Sequence, residues 1–185
     1  QVIHFSPSKI NLGLQILKKR SDGFHEIATL MYPLPFRDIL EINPSTGSGE
    51  GFSTTQTGIP VPGTTREKLC YRAWELFSGE HGHTPVRFHL HKRIPPGAGL
   101  GGGSSNAATV LKGLNELRGN PVSIRKLEEM AAELGSDCSL FIKNEPSLAE
   151  GRGEILKETP VRLSGHYLVL LYPELHVDTA KAYRD

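Results

Sequence analysis

The densest chemistry in the sequence lies in Ile94-Pro95-Pro96-Gly97-Ala98-Gly99-Leu100-Gly101-Gly102-Gly103-Ser104-Ser105, which runs into a stretch with helical spacing. Five glycines fall between positions 97 and 103. Glycine has no side chain, so successive backbone N–H groups can close around an oxyanion. The helix that follows adds unpaired N–H donors and the positive end of its dipole. Loop and helix start together make an anion site, most often for phosphate. A plain flexible loop would tolerate glycine anywhere and would not stop sharply at Ser104-Ser105.

Two familiar phosphate signatures match only in part. Gly97-x-Gly99-x-x-Gly102 has the dinucleotide spacing, after a strand expected at Val86–His91. That fingerprint also needs a second parallel strand ending in an acid about 20 residues on. Arg118-Gly119-Asn120-Pro121, a turn before another helix, stands there instead. The P-loop form needs a lysine after its last glycine, and here Gly102 is followed by Gly103 and Ser104. If the loop holds a polyphosphate, its counter-charge must come from elsewhere in the chain or from Mg²⁺. Ser104 or Ser105 could offer that ion a hydroxyl, or simply cap the helix.

The elements that must position this loop follow from periodicity. Ile10, Leu12, Leu14 and Ile16 alternate along Lys9–Leu17, the period of a half-buried strand. Ser21-Asp22-Gly23 supplies a turn, and Ile27–Leu34 a second strand. Asp38–Asn43 and Phe52–Gln56 read as further strands, and Arg66–Ser78 as a helix with Leu69, Ala73, Leu76 and Phe77 on one side. On Val86–His91, Val86, Phe88 and Leu90 face one way and Arg87, His89 and His91 the other. The helix after the glycine loop is expected to end near Leu117, and the next to run from Ser123 to Leu134. Tyr167–Tyr172 reads as a short strand and Asp178 as the start of a helix. Strands lead, helices follow and several connections are hairpins. The expected fold is therefore α+β rather than a doubly wound parallel sheet.

A chain of 185 residues suffices for a sizeable core in one domain or two small ones. Its 21 basic and 20 acidic residues leave a formal net charge of +1. Lys18-Lys19-Arg20 is too short for a nucleic-acid stripe and is expected to be a solvated hairpin end. Cys70 and Cys138 lie far apart without a CxxC pair, which suggests neither zinc nor a disulfide framework and suits a reducing, cytoplasmic setting. His81, His83, His89 and His91 have no thiolate or carboxylate spaced to join them and are expected at the solvated surface. Lys9 and Asn11 interrupt the N-terminal apolar residues, so no signal peptide is expected. No apolar stretch approaches the length of a membrane span.

Three separated stretches form one pattern. Ser6-Pro7-Ser8-Lys9-Ile10-Asn11-Leu12 resembles the first motif of the GHMP kinase superfamily, and Pro95–Ser105 its nucleotide-phosphate loop. Leu134-Gly135-Ser136-Asp137 resembles the stretch carrying that family's catalytic aspartate. Lys19-Arg20-Ser21-Asp22-Gly23-Phe24-His25-Glu26, with Asn106-Ala107-Ala108 after the triple glycine, is similar to one branch. That branch phosphorylates a cytidine-diphosphate derivative of methylerythritol on the non-mevalonate route to isoprenoids.

The resemblance implies transfer of a γ-phosphoryl from ATP, with Mg²⁺, to an alcohol. It implies that Asp137 takes the hydroxyl proton, where position alone would equally allow a cap for the next segment. Lys9 would lie beside Asp137 and hold it ionised, supplying the cation the glycine loop lacks. Asn11 would orient the substrate's hydroxyl region, and Phe24 and His25 would hold the cytosine, with Tyr183 as a second aromatic face. Lys68 takes a position where the family often has an asparagine near the adenine. The fold implied has two domains: an N-terminal domain like the second domain of ribosomal protein S5 over residues 1–158, and an α/β domain starting within 159–185. With that second domain largely absent and no initiator methionine before Gln1, a fragment or the ordered part of a longer protein is expected. The implied partner is a small cytidine-diphosphate substrate, without nucleic acid or membrane, and the oligomeric state is left open. Two other readings remain open here: a GHMP kinase acting on homoserine or a sugar, and a nucleotide-binding fragment without turnover.

Overall fold

The computed structural model describes residues 1–23, 25–45, 51–65 and 68–173. Its backbone is a long antiparallel hairpin, β1 (Val2–Lys19) and β2 (His25–Pro44), closed by a turn in which Gly23 donates to the Arg20 carbonyl. β3 (Phe52–Gly58), α1 (Leu69–His81) and β4 (Val86–Lys92) follow, then α2 (Gly102–Leu117) and α3 (Ile124–Leu134). The short α4 (Leu140–Lys143), β5 (Ser147–Glu150) and β6 (Ile155–Glu158) complete the described elements. The sheet runs β3-β4-β2-β5-β6, with β1 along the other edge of β2. β2 thus meets β1 along its whole length and divides its opposite edge between β5 near Thr29–Met31 and β4 near Ile39–Pro44.

Alternation on these strands sorts the two faces. Leu40 and Ile42 on β2, with Val86 and Phe88 on β4, turn into a core shared with Val110, Leu111 and Leu114 of α2. Those three α2 residues are wholly buried, so α2 is the central helix of the helical layer. The opposite face is polar. Thr57 hydrogen-bonds both His89 (3.1 Å) and His91 (2.9 Å), and Thr55 lies 2.8 Å from His89. Strands in one layer and helices in another give the α+β arrangement that the order of elements predicts.

Several boundaries differ from the periodicity. The strands expected at Ile27–Leu34 and Asp38–Asn43 are one element, β2. Pro35 is accommodated because the ladder slips: Pro7 pairs with Arg37 but Ser8 with Leu34, leaving Pro35 and Phe36 outside the register. α1 lies three residues later than expected, from Leu69 to His81, and Arg66 and Glu67 fall outside the described residues. Leu14 and Ile16 share a face, but a register shift at Gly13 sets Leu12 opposite Leu30 and so on the other face, and all three are exposed. Helix α2 covers only the first half of β1, where Ser6 bonds Thr109 (2.9 Å) and His4 meets Glu116 (3.0 Å). Tyr167–Tyr172 forms no strand, because among the described residues no strand offers it a ladder. The helix expected from Asp178 lies outside the described residues. α4, β5 and β6 are four residues each, too short to leave a periodic signature.

Candidate active site

The glycine loop leaves β4 at Lys92 and re-enters regular structure at α2. Gly97, Gly99 and Gly101 all have positive φ (74°, 72° and 67°), a backbone that other residues adopt only with strain. Gly101 also sits too close to its neighbours for a side chain: a Cβ would lie 2.9 Å from Phe141 Cζ and 3.0 Å from Lys9 Cγ.

Gly101, in the left-handed conformation, is the N-cap of α2, and the helix begins at Gly102. Ser104 and Ser105 therefore lie inside the first turn, and the capping role open to them in the sequence is not theirs. The first intrahelical bond runs from Ser105 N to Gly101 O (2.8 Å). The N–H groups of Gly102, Gly103 and Ser104 thus have no acceptor within the helix. Gly103 is exposed, so a ligand can reach this cluster of donors. The two serines differ as metal donors. The Ser105 hydroxyl is sealed from solvent without a partner, whereas Ser104 is partly exposed. Among the described residues no group of three His, Cys, Asp or Glu could hold a metal. A Mg²⁺ ion at this loop would take most of its ligands from phosphate and water.

Lys9 is brought against this loop by its backbone, whose N–H donates to Leu100 O (2.9 Å). The register slip between Pro7 and Ser8 immediately precedes it, and Ser6 to Lys9 are all buried rather than alternating. The Lys9 ammonium lies 3.2 Å from Asp137 Oδ2 and donates to Asn11 Oδ1 (2.6 Å). Asn11 in turn donates to Thr29 Oγ1 (2.9 Å), and Thr29 donates to the carbonyl of Gly13 (2.5 Å). Lys9 and Asn11, near neighbours on β1, thus meet Asp137 from far along the chain. Thr29, the residue that fixes Asn11, carries no signal in the sequence.

Asp137 sits in the turn between α3 and α4, with its side chain 29% exposed against 8% for Lys9. The N-cap of α4 is Ser139, so Asp137 is not the cap that its position allowed. Its neighbour Cys138 is wholly buried. Burial pushes that thiol up to about 11, and a hydrogen bond with Ser104 only partly opposes the shift.

His25 opens β2 at the hairpin end, paired with Lys19. Two residues on, Ile27 donates to the carbonyl of Gly151 (2.8 Å) in the β5–β6 turn. A Cβ on Gly153 of that turn would lie 3.7 Å from Ser136 Cβ, so the turn bridges the hairpin and the Ser136-Asp137 segment. Phe24 and Tyr183 lie outside the described residues. A cavity of about 190 Å³ is lined by Phe52, Gln56, Lys68, Tyr71, Phe88 and others. Leu69, next to Lys68, is the side chain nearest Gly103, where a Cβ would lie 3.8 Å from Leu69 Cδ1.

No sequence motif marks a second cationic group at the loop. Lys92 donates to Asp38 Oδ2 (2.5 Å) and Asn106 Oδ1 (3.0 Å), directly beneath Gly102. The signal that could have found it is strand parity: Lys92 continues the inward row of Val86, Phe88 and Leu90, and Asp38 that of Leu40 and Ile42.

Comparison with known proteins identifies relatives of the chain. Residues 68–143 match the family described as GHMP kinases N terminal domain, a span that holds α1, the glycine loop and Asp137. The chain is 44% identical over 182 residues to a 4-diphosphocytidyl-2-C-methyl-D-erythritol kinase of Bacteroides fragilis, covering 98% of this chain and 66% of that protein. An enzyme of the same name from Azobacteroides pseudotrichonymphae is 40% identical, with 98% of this chain and 67% of that protein covered. A crystal structure of a 4-(cytidine 5'-diphospho)-2C-methyl-D-erythritol kinase superposes with a TM-score of 0.79 at 36% identity, covering 99% of this chain and 63% of that one. The chain thus spans about two thirds of the length of the curated relatives it matches. It belongs to the 4-diphosphocytidyl-2-C-methyl-D-erythritol kinase family of the GHMP kinases.

Proposed function

We propose that this chain carries the nucleotide-binding and proton-accepting part of a kinase that transfers the γ-phosphoryl of ATP to a hydroxyl of 4-diphosphocytidyl-2-C-methyl-D-erythritol. The observation that carries the reading is the Lys9–Asp137 pair at 3.2 Å, held against the glycine loop by the bond from Lys9 N to Leu100 O. Phosphoryl transfer is chiefly a matter of positioning and of neutralising charge on the transferred group. In this reading Pro95 to Ser105 form the phosphate cradle, with the free N–H groups of Gly102, Gly103 and Ser104 turned to the polyphosphate. The cavity lined by Lys68 takes the nucleotide base.

Asp137 accepts the proton of the acceptor hydroxyl as its oxygen forms the new bond to phosphorus and the bond to the β-phosphate oxygen breaks, releasing ADP. Lys9 keeps that carboxylate ionised and offsets negative charge on the moving phosphoryl. Its ammonium donates to Asn11 and pairs with Asp137, which leaves it donor capacity for an incoming oxygen. Asn11, fixed by Thr29, orients the hydroxyl-bearing end of the acceptor. Mg²⁺, held by the nucleotide and the Ser104 hydroxyl, would add neutralising charge between the phosphates. His25 reads the edge of the cytosine, with Phe24 and Tyr183 as its stacking faces. Residues 1–158 form the domain that does this, those from 159 belong to a second domain, and the setting is the reducing cytoplasm on the non-mevalonate isoprenoid route.

The test is a transfer assay with ATP and Mg²⁺ on the protein that carries this chain. Phosphorylation of the cytidine-diphosphate substrate, with little on homoserine or a free sugar alcohol, is the expected result. Equal turnover of homoserine, or of a uridine analogue, would overturn the substrate assignment. The His25→Ala variant should raise KM for the cytidine substrate much more than KM for ATP.

A further inference from the structure

We propose that Asp38, Lys92 and Asn106 act as one positioning unit that sets the two ends of the glycine loop for the nucleotide phosphates. The inference rests on the reading of that loop as the ATP phosphate cradle. All three residues are at most 3% exposed and come from three elements: β2, the end of β4, and α2. Asp38 Oδ1 accepts from the backbone N–H groups of Arg93 (2.7 Å) and Ile94 (2.9 Å), the first residues of the loop. Asp38 Oδ2 accepts from Lys92 Nζ (2.5 Å) and Asn106 Nδ2 (3.0 Å), and Lys92 also donates to Asn106 Oδ1 (3.0 Å). One carboxylate thus grips the loop at its entry and, through Asn106, the first turns of the helix at its exit.

The span between the two grips contains Gly97, Gly99 and Gly101 at positive φ. Glycine-rich backbone loses the most conformational freedom on ordering, so such a loop holds its shape only if its ends are fixed. The ammonium also forms the floor of the donor cluster: a Cβ on Gly102 would lie 2.8 Å from Lys92 Nζ. A buried ion pair is weak evidence for stability, since an apolar pair of similar volume can serve as well. Here the carboxylate accepts four bonds, two of them from backbone N–H groups at the loop's entry, and it reaches the exit through the Asn106 side chain, which is what a positioning role requires.

The test separates positioning from mere stability. The double variant Asp38→Asn/Lys92→Met removes both charges while keeping volume and an acceptor for the two amides. It should melt within a few degrees of the parent chain. Calorimetry with ATP and Mg²⁺ should then show at least tenfold weaker binding, while adenosine, which has no phosphate, binds unchanged. Asn106→Ala, which releases only the exit grip, should show the same split with a smaller loss of about threefold. Parental ATP affinity in a folded double variant would overturn the proposal. If the double variant does not fold, an unchanged ATP-to-adenosine ratio in Asn106→Ala would overturn it. If the parent chain itself binds neither ATP nor inorganic tripolyphosphate, the cradle reading falls first, and this inference with it.

Discussion

Two lysine–aspartate pairs flank the glycine loop, and they are built in opposite ways. Asp38 and Lys92 lie behind it, sealed from solvent, with the carboxylate accepting four hydrogen bonds. Lys9 and Asp137 lie in front, at a looser 3.2 Å, with Asp137 29% exposed. A carboxylate with every lone pair engaged cannot take a proton from an incoming hydroxyl. One that is partly exposed and faces a single cation can. The same two side-chain types thus serve holding on one side of the loop and chemistry on the other, and solvent access and spare hydrogen-bonding capacity separate the two uses.

The comparison breaks most visibly if the front pair is the one that only holds. Asp137→Asn keeps the shape and can still accept from Lys9, but it cannot take a proton. We expect turnover to fall by about 10²–10⁴-fold, the usual worth of a positioned general base. ATP affinity and melting temperature should stay close to the parent values. Single-turnover kinetics with a thermal melt of the same preparation checks both, and an active variant would end the assignment of Asp137 as base.

The rear pair should show the reverse pattern. Asp38→Ala leaves the Lys92 ammonium buried without its partner and two backbone N–H groups without an acceptor. Breaking a buried pair in this way typically costs about 3–5 kcal/mol. Lys9→Ala, in front, should cost much less stability and far more rate. Denaturant titration of the two variants under one condition measures the contrast, and similar losses of stability would show that both pairs are structural.

The front of the site was largely legible in the sequence. Glycine at 97, 99 and 101 marks a backbone that only glycine adopts easily, and family resemblance brought Lys9, Asn11 and Asp137 to it. What was hidden depended on three-dimensional context. The serines are good caps and so suggest a helix start of their own, but the left-handed turn at Gly101 sets the start earlier. Lys92 and Asp38 were legible in principle from their inward parity, yet a charge on a core face invites the assumption that it lies at a strand end. The exposure of Leu14 and Ile16 depends on how far α2 reaches along β1, which no local pattern encodes, and the shift at Gly13 puts Leu12 on the other face. Thr29 could be found only from its contact with Asn11.

The line between the sealed and open regions runs between adjacent residues, Asp137 and Cys138, and pH tests it. Burial raises the Cys138 thiol from 9.0 to about 11. Above pH 9 the unfolded chain loses this proton while the folded chain keeps it, so the folded state binds more protons and stability falls as pH rises. The contribution is fully present below pH 9 and is lost progressively toward pH 11, by about 2–3 kcal/mol at most. Urea midpoints of the parent and of Cys138→Ala should therefore converge between pH 8 and pH 10.5. Parallel pH dependences would mean that Cys138 is open to solvent like its neighbour.

The smallest effects should come from two adjacent glycines that face the two regions. A Cβ on Gly102 would meet Lys92 Nζ at 2.8 Å and Ile94 Cγ2 at 2.9 Å, both fixed in the buried layer. Gly102→Ala should therefore overpack the rear pair and cost about 1–3 kcal/mol. On Gly103 the nearest atom to a Cβ would be Leu69 Cδ1 at 3.8 Å, and the residue is exposed and in the helix. Gly103→Ala should stabilise the chain by about 0.5–1 kcal/mol, because alanine loses less backbone freedom in a helix. The same methyl stands where the phosphates are proposed to approach, so ATP affinity should drop by roughly tenfold, about 1.4 kcal/mol. A more stable protein with weaker ATP binding is an outcome that general damage to the fold cannot produce. If Gly103→Ala is more stable and binds ATP as the parent does, the phosphates do not approach the helix at that turn.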